Sequence, residues 1–406
     1  MTIFFSVGEP SGDLHGANLI GALRRTSGDA IRFVGFGGPK MAAAGAELHH
    51  DLTAHAVMGF LQVVGVIPRF LRLAAEAEDY FREHRPDAVV LVDFPGFNWH
   101  IARRAKRHGV PVFYYGTPQL WGWAPWRVRK LRRWVDHALC KLPFEEAWLR
   151  ERGCNATHVG HPYFDELHGR RLDEIFLAEQ RDAPGPLVTL LPGSRTQEVK
   201  ANLATLLEAA RLVRQQAPNA RFAVAAFKPA HAERVRAAIA AKGFADGPAP
   251  SVHVGRTPEL IEAARCCLAV SGSVSLELLH HAKPTAITYR VSWPMHQVQK
   301  LFRRVRYITL VNLLTTDELF PKRVGVYDPA DPRDAHALMP EYLTWRDPAP
   351  SLARHAVEWL TDEPKRDALV RRMHALRDQI GAAGASERAA EYLLRELPGA
   401  AASRAA

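Results

Sequence analysis

Three kinds of residue in this sequence could do chemistry: carboxylates that end buried strands, a cation beside a glycine turn, and a glutamate early in a helix. Asp93 closes the apolar run Ala88–Val92 and precedes the turn Phe94-Pro95-Gly96-Phe97-Asn98. Glu9 stands likewise after Ile3–Val7, inside Gly8-Glu9-Pro10-Ser11-Gly12-Asp13. Arg195 follows Leu187–Leu191 and the turn Pro192-Gly193-Ser194, and a helical pattern then opens on Glu198 and runs through Leu203, Leu206 and Leu207. A strand that turns through Gly-Ser-Arg into a helix N-terminus leaves N–H groups unpaired beside a cation, with Ser194 able to cap. Phosphate or pyrophosphate suits such a site. An ordinary strand–turn–helix corner with a surface arginine explains that stretch equally well. By position alone Asp93 reads first as the N-cap of the helix after it.

The elements that must place these residues are strands alternating with helices. Ile3–Val7, Ile31–Gly35, Ala88–Val92, Val110–Tyr115, His137–Pro143 and Thr157–Pro162 read as strands, with helical patterns over Phe70–Arg82 and Ile101–His108. Their near-continuous apolar character is that of strands buried on both faces of a parallel sheet. Residues 170–186, charged at first and Pro/Gly-containing later, read as a linker, after which the pattern restarts with Leu187–Leu191, Arg221–Ala226, Ser251–Val254, Cys267–Ser271 and Thr285–Tyr289. The expected architecture is α/β. Two Rossmann-like domains face each other across a cleft, at 1–170 and 187–349, and helices at 350–406 return to the first domain. Ligands of such sheets sit beyond the strand C-termini, where Glu9, Asp93 and Arg195 fall.

A chain of 406 residues with 47% hydrophobic content supports two cores. The net charge of +10 favours an anionic partner without choosing among nucleic acid, nucleotide and acidic lipid. Four cysteines with no C-x-x-C pair fit a reducing compartment. The N-terminus lacks a basic region ahead of its apolar run and reads as a first strand, and no apolar run approaches the roughly 20 residues of a membrane span. The expected location is the cytoplasm, with peripheral attachment to a membrane allowed. Basic residues interleave with aromatics in Trp121–Trp134 and Trp293–Tyr307, but no nucleic-acid-binding signature accompanies them. Amphipathic helices with solvated cations explain much of both segments, and anionic headgroups are a third reading.

Taken together the segments resemble one family. Gly8-Glu9-Pro10-Ser11-Gly12-Asp13, Met58-Gly59-Phe60, Asp93-Phe94-Pro95-Gly96-Phe97-Asn98, Pro118-Gln119-Leu120-Trp121, Leu142-Pro143-Phe144-Glu145 and Val159-Gly160-His161-Pro162 are similar, in order, to motifs of lipid A disaccharide synthases. So are Leu191-Pro192-Gly193-Ser194-Arg195, Ser271-Gly272-Ser273 with Glu277, Asn312-Leu313-Leu314 and Pro340-Glu341-Tyr342-Leu343. The resemblance implies an inverting, metal-independent glycosyltransferase of the two-Rossmann GT-B type, with no cofactor. Its substrates would be UDP-2,3-diacylglucosamine and 2,3-diacylglucosamine 1-phosphate, and its products a β(1→6)-linked lipid disaccharide phosphate and UDP.

Asp93 then matches the family's catalytic aspartate, the base that takes the acceptor proton. Gly193, Ser194 and Arg195 would hold the pyrophosphate, and Ser271, Gly272, Ser273 and Glu277 the nucleotide, with Glu277 on the ribose hydroxyls. Glu9 and Asn312 match active-site positions of unassigned role. Ser11 and Asp13 either touch substrate or cap the first helix. The absence of any D-x-D triplet agrees with metal independence.

The resemblance also implies an anionic membrane surface as a partner, at the inner face of the cytoplasmic membrane, and no nucleic acid. The apolar run Met58, Phe60, Leu61, Val63, Val64, Val66, Ile67, Phe70, Leu71 would dock there, with Arg127–Arg133 and Lys300–Arg306 on headgroups. A homodimer is allowed. The chain departs from the family between Asn312 and Pro340, where 320–329 reads as an insertion. Two rivals remain at this point: a UDP-N-acetylglucosamine 2-epimerase on the same fold, and a non-catalytic basic binding protein.

Overall fold

The computed structural model describes residues 1–53, 63–244 and 247–397, with the backbone alone for 63–66. Met58-Gly59-Phe60 and Leu61 lie outside the described residues, as do the side chains of Val63, Val64 and Val66. The chain forms two compact units, Met1–His168 with Ala382–Ala406, and Gly169–Gly381.

The first unit is built on seven strands: β1 (Thr2–Val7), β2 (Arg32–Gly37), β3 (Glu47–Asp51), β4 (Ala88–Val92), β5 (Val112–Tyr115), β6 (His137–Cys140) and β7 (Ala156–His158). They lie in the order β3-β2-β1-β4-β5-β6-β7, all parallel. Every residue of β4 is buried, as a strand covered on both faces requires. Ile3, Phe5 and Val7 pack with Leu19, Ile20 and Leu23 of the helix Pro10–Ser27. That core is completed from the far end of the chain by Ala389, Ala390 and Leu393 of the helix Ala385–Glu396. Burying a leucine there is worth about 2 kcal/mol. The Asp165 carboxylate fixes the start of this helix by accepting from the N–H groups of Gly384, Ala385 and Ser386, at 2.7, 3.0 and 2.8 Å.

The second unit holds β8 (Leu187–Leu191), β9 (Arg221–Ala226), β10 (Ser251–Val254), β11 (Cys266–Val270), β12 (Thr285–Arg290) and β13 (Glu341–Thr344), in the order β10-β9-β8-β11-β12-β13. These pairs are parallel too. Two expectations about chain organisation change. Residues 170–186 do not form a bare linker: they carry the helix Glu174–Asp182, capped by Asp173 on the Phe176 N–H at 3.1 Å, with Leu177 buried. The C-terminal helices also do not travel together. Ala349–Thr361 places Leu352, Ala356 and Trp359 in the second core, and only Ala385–Glu396 joins the first.

Each sheet has one place where its strand order reverses, between β1 and β4 in the first and between β8 and β11 in the second. At such a point the connections leave in opposite directions and open a crevice at the strand C-termini. The residues after β1 and β4 are Glu9 and Asp93, and those after β8 and β11 are Gly193–Arg195 and Ser271–Ser273. Among the described residues no helix is long and apolar enough to cross a membrane.

Candidate active site

The turn after β4 is strained and over-determined. Asp93 and Phe94 both have positive φ, 46° and 45°. For non-glycine residues this left-handed backbone costs about 1–3 kcal/mol each. The surroundings hold it in place. The Asp93 carbonyl accepts from Asn98 Nδ2 at 2.8 Å and from the Tyr114 hydroxyl at 2.6 Å. Asn98 is wholly buried, reaches the Ser6 and Val92 carbonyls at 3.2 and 3.3 Å, and accepts from Ser6 Oγ at 2.7 Å. The Phe94 ring packs near Phe70 and Phe97 and lies over Gly8, where a Cβ would come within 2.2 Å of it.

Phe94, not Asp93, is the N-cap of the helix Pro95–Arg107, so the Asp93 carboxylate is not tied up in capping it. Instead Oδ1 meets the Lys141 ammonium at 3.0 Å, with the two side chains 21% and 15% exposed. Burial pulls the Lys141 ammonium pKa down. The fields of Asp93, Glu145 and Glu9 outweigh that and leave it above the ordinary lysine value. Two histidines face the same charges. Burial holds His15 down to about 4, Asp93 opposing and Lys141 assisting, and holds His161 well below its ordinary value. Both are neutral at pH 7. Burial and the Asp93 charge push the Tyr114 phenol well above its ordinary pKa.

Glu9 occupies the N-cap position of Pro10–Ser27, half-buried. Ser11 is exposed within the first turn and caps nothing. Asp13 does not cap its own helix either. It is buried and accepts from the N–H groups of Gly38, Lys40 and Met41 at 2.9, 3.0 and 3.1 Å, which caps the helix Pro39–Ala43. Lys141, His15, Asn98 and Tyr114 were missed as site residues. The one available signal was a lysine ending the apolar run Ala138-Leu139-Cys140, level with Asp93 across the sheet.

In the second unit Gly193 has φ +109°, and a Cβ there would lie 2.7 Å from Glu198 Cβ and Oε2. That closeness lets Glu198 fold back: its Oε2 accepts from the N–H groups of both Ser194 and Arg195 at 3.1 Å, and its Oε1 meets Arg195 Nη1 at 3.1 Å. Arg195, rather than Ser194, is the N-cap residue of the helix Thr196–Gln216, and its side chain is 76% exposed. The anion position thus already holds one of the chain's own carboxylates.

Ser271, Gly272 and Ser273 form the turn after β11, and nothing lies within 4 Å of a Cβ at Gly272. Glu277, one turn further on, is buried and pairs with Arg170. Asn312, whose role the sequence left open, is engaged through both polar atoms of its side chain. It is wholly buried, donates to the Met339 carbonyl at 2.7 Å and Glu341 Oε2 at 3.0 Å, and accepts from the N–H groups of Leu338 and Met339 at 3.1 and 3.0 Å. Its side chain pins the end of the inserted segment. Burial raises the Glu341 carboxyl to about 7 despite those bonds. Arg303 and Arg306 depart from expectation. Both are buried, Arg303 on the Arg306 and Gly325 carbonyls and Arg306 on Asp331 and Asp334, so neither is available to headgroups.

Two parallel sheets in Rossmann strand order, with carboxylate, cation and glycine turns at both switch points, define a GT-B-type glycosyltransferase fold. The solved structures bear this out at the level of fold. A glycosyltransferase of kitacinnamycin matches with a TM-score of 0.57 at 17% identity over 98% of this chain and 99% of its own. A UDP-GlcNAc 2-epimerase from Neisseria meningitidis matches with a TM-score of 0.59 at 13% identity over 97% and 99%. Sequence distinguishes what the fold shares. The family model for lipid-A-disaccharide synthetase matches residues 3–339, so the chain belongs to that family. A lipid-A-disaccharide synthase of Myxococcus xanthus is 34% identical over 98% of this chain and 97% of its own length, and one of Burkholderia lata is 34% identical over 78% and 80%.

Proposed function

We propose that the chain transfers 2,3-diacylglucosamine from its UDP conjugate to the 6-hydroxyl of 2,3-diacylglucosamine 1-phosphate. The hydroxyl oxygen attacks the sugar C1, the C1–O bond to the diphosphate breaks, and UDP leaves with the bonding pair. One displacement inverts C1 and gives the β linkage. The hydroxyl is too weak an acid to attack unaided at pH 7, so Asp93 takes its proton as the bond forms. The observation that carries this reading is the Asp93 turn: a carboxylate at a switch point, on a backbone held against strain, with one oxygen fixed and the other clear of protein partners among the described residues.

The charge gathering on UDP falls to the second unit. Among the described residues Arg195 is paired only with Glu198, and it is largely exposed, so it moves at little cost. An incoming pyrophosphate displaces Glu198 from the Ser194 and Arg195 N–H groups and takes up the same two donors. Glu277 accepts from the ribose hydroxyls, and Ser271–Ser273 line the approach.

Because the proposed substrates are bilayer lipids, the proposal extends to peripheral attachment at the inner face of the cytoplasmic membrane. The helix Trp293–Phe302 supports this. Trp293, Met295, Val298, Leu301 and Phe302 are all exposed, Leu301 at 72%, and Lys300, Arg304, Lys322 and Arg323 are exposed nearby in sequence. Arg127, Arg129, Lys130, Arg132 and Arg133, with exposed Trp123 and Trp126, give the first unit a similar character.

The fold likeness to 2-epimerases keeps a second reading testable. Mass spectrometry after incubation with the two acylated glucosamine substrates should find the disaccharide phosphate. Epimerised sugar from UDP-N-acetylglucosamine, with no disaccharide, would replace this reading by the other.

A further inference from the structure

Lys141 lies outside every motif that marks the family here, yet it makes the only hydrogen bond to the Asp93 carboxylate among the described residues. It follows β6, whereas Asp93 follows β4, with β5 between them. Its side chain must therefore cross the end of β5, two strand spacings or roughly 10 Å. The crossing is prepared. Gly116, just past β5, has φ +75°, and a Cβ there would lie 3.3 Å from both Cε and Nζ of Lys141. At its other end Lys141 is anchored through its backbone N–H, which Glu145 accepts at 3.0 Å. The same carboxylate group accepts from the Leu142 N–H at 3.0 Å and from Trp121 Nε1 at 2.8 Å. Lys141 is thus held at its tip by Asp93 and at its backbone by Glu145.

We propose that Lys141 is a positioning residue for the transfer reaction: it holds Oδ1 of Asp93 so that Oδ2 faces the acceptor hydroxyl. This rests on Asp93 being the base. A carboxylate held at one oxygen by a fixed ammonium leaves its other oxygen fewer orientations, which a geometry-sensitive proton transfer needs.

Burial holds His15 on Pro10–Ser27 and His161 after β7 neutral and Tyr114 on β5 protonated, so Lys141 is the one cation among these neighbours of the Asp93 carboxylate.

The test is kcat and donor KM for wild type, Lys141→Met, Lys141→Gln and Lys141→Arg, with UDP affinity by calorimetry as the check that each variant is folded. In the two neutral variants kcat should fall about tenfold or more with KM for the donor nearly unchanged, and Lys141→Arg should recover most of the loss. Wild-type kcat in a folded neutral variant overturns the proposal. Asp93→Asn separates the two layers of the argument. If it is inactive while Lys141→Met keeps the wild-type kcat, only the Lys141 role falls. If Asp93→Asn is active, the base assignment itself falls.

Discussion

The turns after β4 and after β8 occupy the same place in two similar sheets and are built in opposite ways. At Asp93 a strained backbone is locked by Asn98 and Tyr114, one carboxylate oxygen is pinned by Lys141, and the aromatic next door rests on a glycine. At Arg195 the side chain is mostly in solvent, and the helix N-terminus is satisfied by its own Glu198. Proton removal depends steeply on geometry, so the group proposed to do it is immobilised. A leaving pyrophosphate is recognised by charge and N–H donors, so its proposed site can be held by an exchangeable internal acceptor until the substrate arrives. On the proposed roles, the difference in rigidity between the two turns follows the difference in their tasks.

That contrast breaks most readily at Gly8. Gly8→Ala puts a methyl into the Phe94 ring, which must move and carry the Asp93 turn with it. Overpacking of this kind costs about 1–3 kcal/mol of stability, and a displacement near 1 Å costs about 10²-fold in turnover. UDP affinity should stay at the wild-type value. Chemical denaturation, initial rates and calorimetry read the three quantities, and normal turnover in the folded variant would remove the rigidity argument.

The second turn should respond in binding. Arg195→Ala removes a charge-assisted contact worth roughly 1.5–3 kcal/mol, so UDP should bind about tenfold or more weakly. Glu277→Ala should weaken UDP comparably and also destabilise the unit, because it leaves the Arg170 guanidinium beside an empty place. Arg195→Ala should leave the melting temperature alone. Calorimetric affinities unchanged in both variants would move the nucleotide elsewhere.

A smaller effect belongs to the lipid surface. Replacing Trp293 and Leu301 by serine leaves both cores intact, since both side chains are exposed. Sedimentation with anionic vesicles should fall, and activity on vesicle-borne acceptor should drop more than on detergent-dispersed acceptor. Sedimentation equal to wild type would take the helix Trp293–Phe302 out of membrane contact.

Which parts were legible beforehand has a physical pattern. β1, β4, β8 and β11 are continuous apolar runs because both their faces are buried, and such runs announce themselves. β3 and β13 sit at sheet edges, and Glu47-Leu48-His49-His50-Asp51 and Glu341-Tyr342-Leu343-Thr344 carry the mixed composition that edges allow, so neither read as a strand. Asp93 and Arg195 were visible because strand ends are local features. Lys141 was not, because its meaning depends on Asp93, 48 positions away in the sequence and two strands across the sheet. What Asn312 and Asp13 do was not legible: long-range backbone N–H groups, invisible in sequence, take up their oxygens.

The central claim is that Asp93 removes the acceptor proton, and Asp93→Asn tests it most directly because it keeps size and hydrogen bonding while abolishing proton acceptance. Turnover and UDP affinity should be measured on the same preparation. The expected result is a loss of about 10²–10⁴ in kcat with UDP binding nearly unchanged. A folded Asp93→Asn enzyme that turns over at close to the wild-type rate would contradict the account.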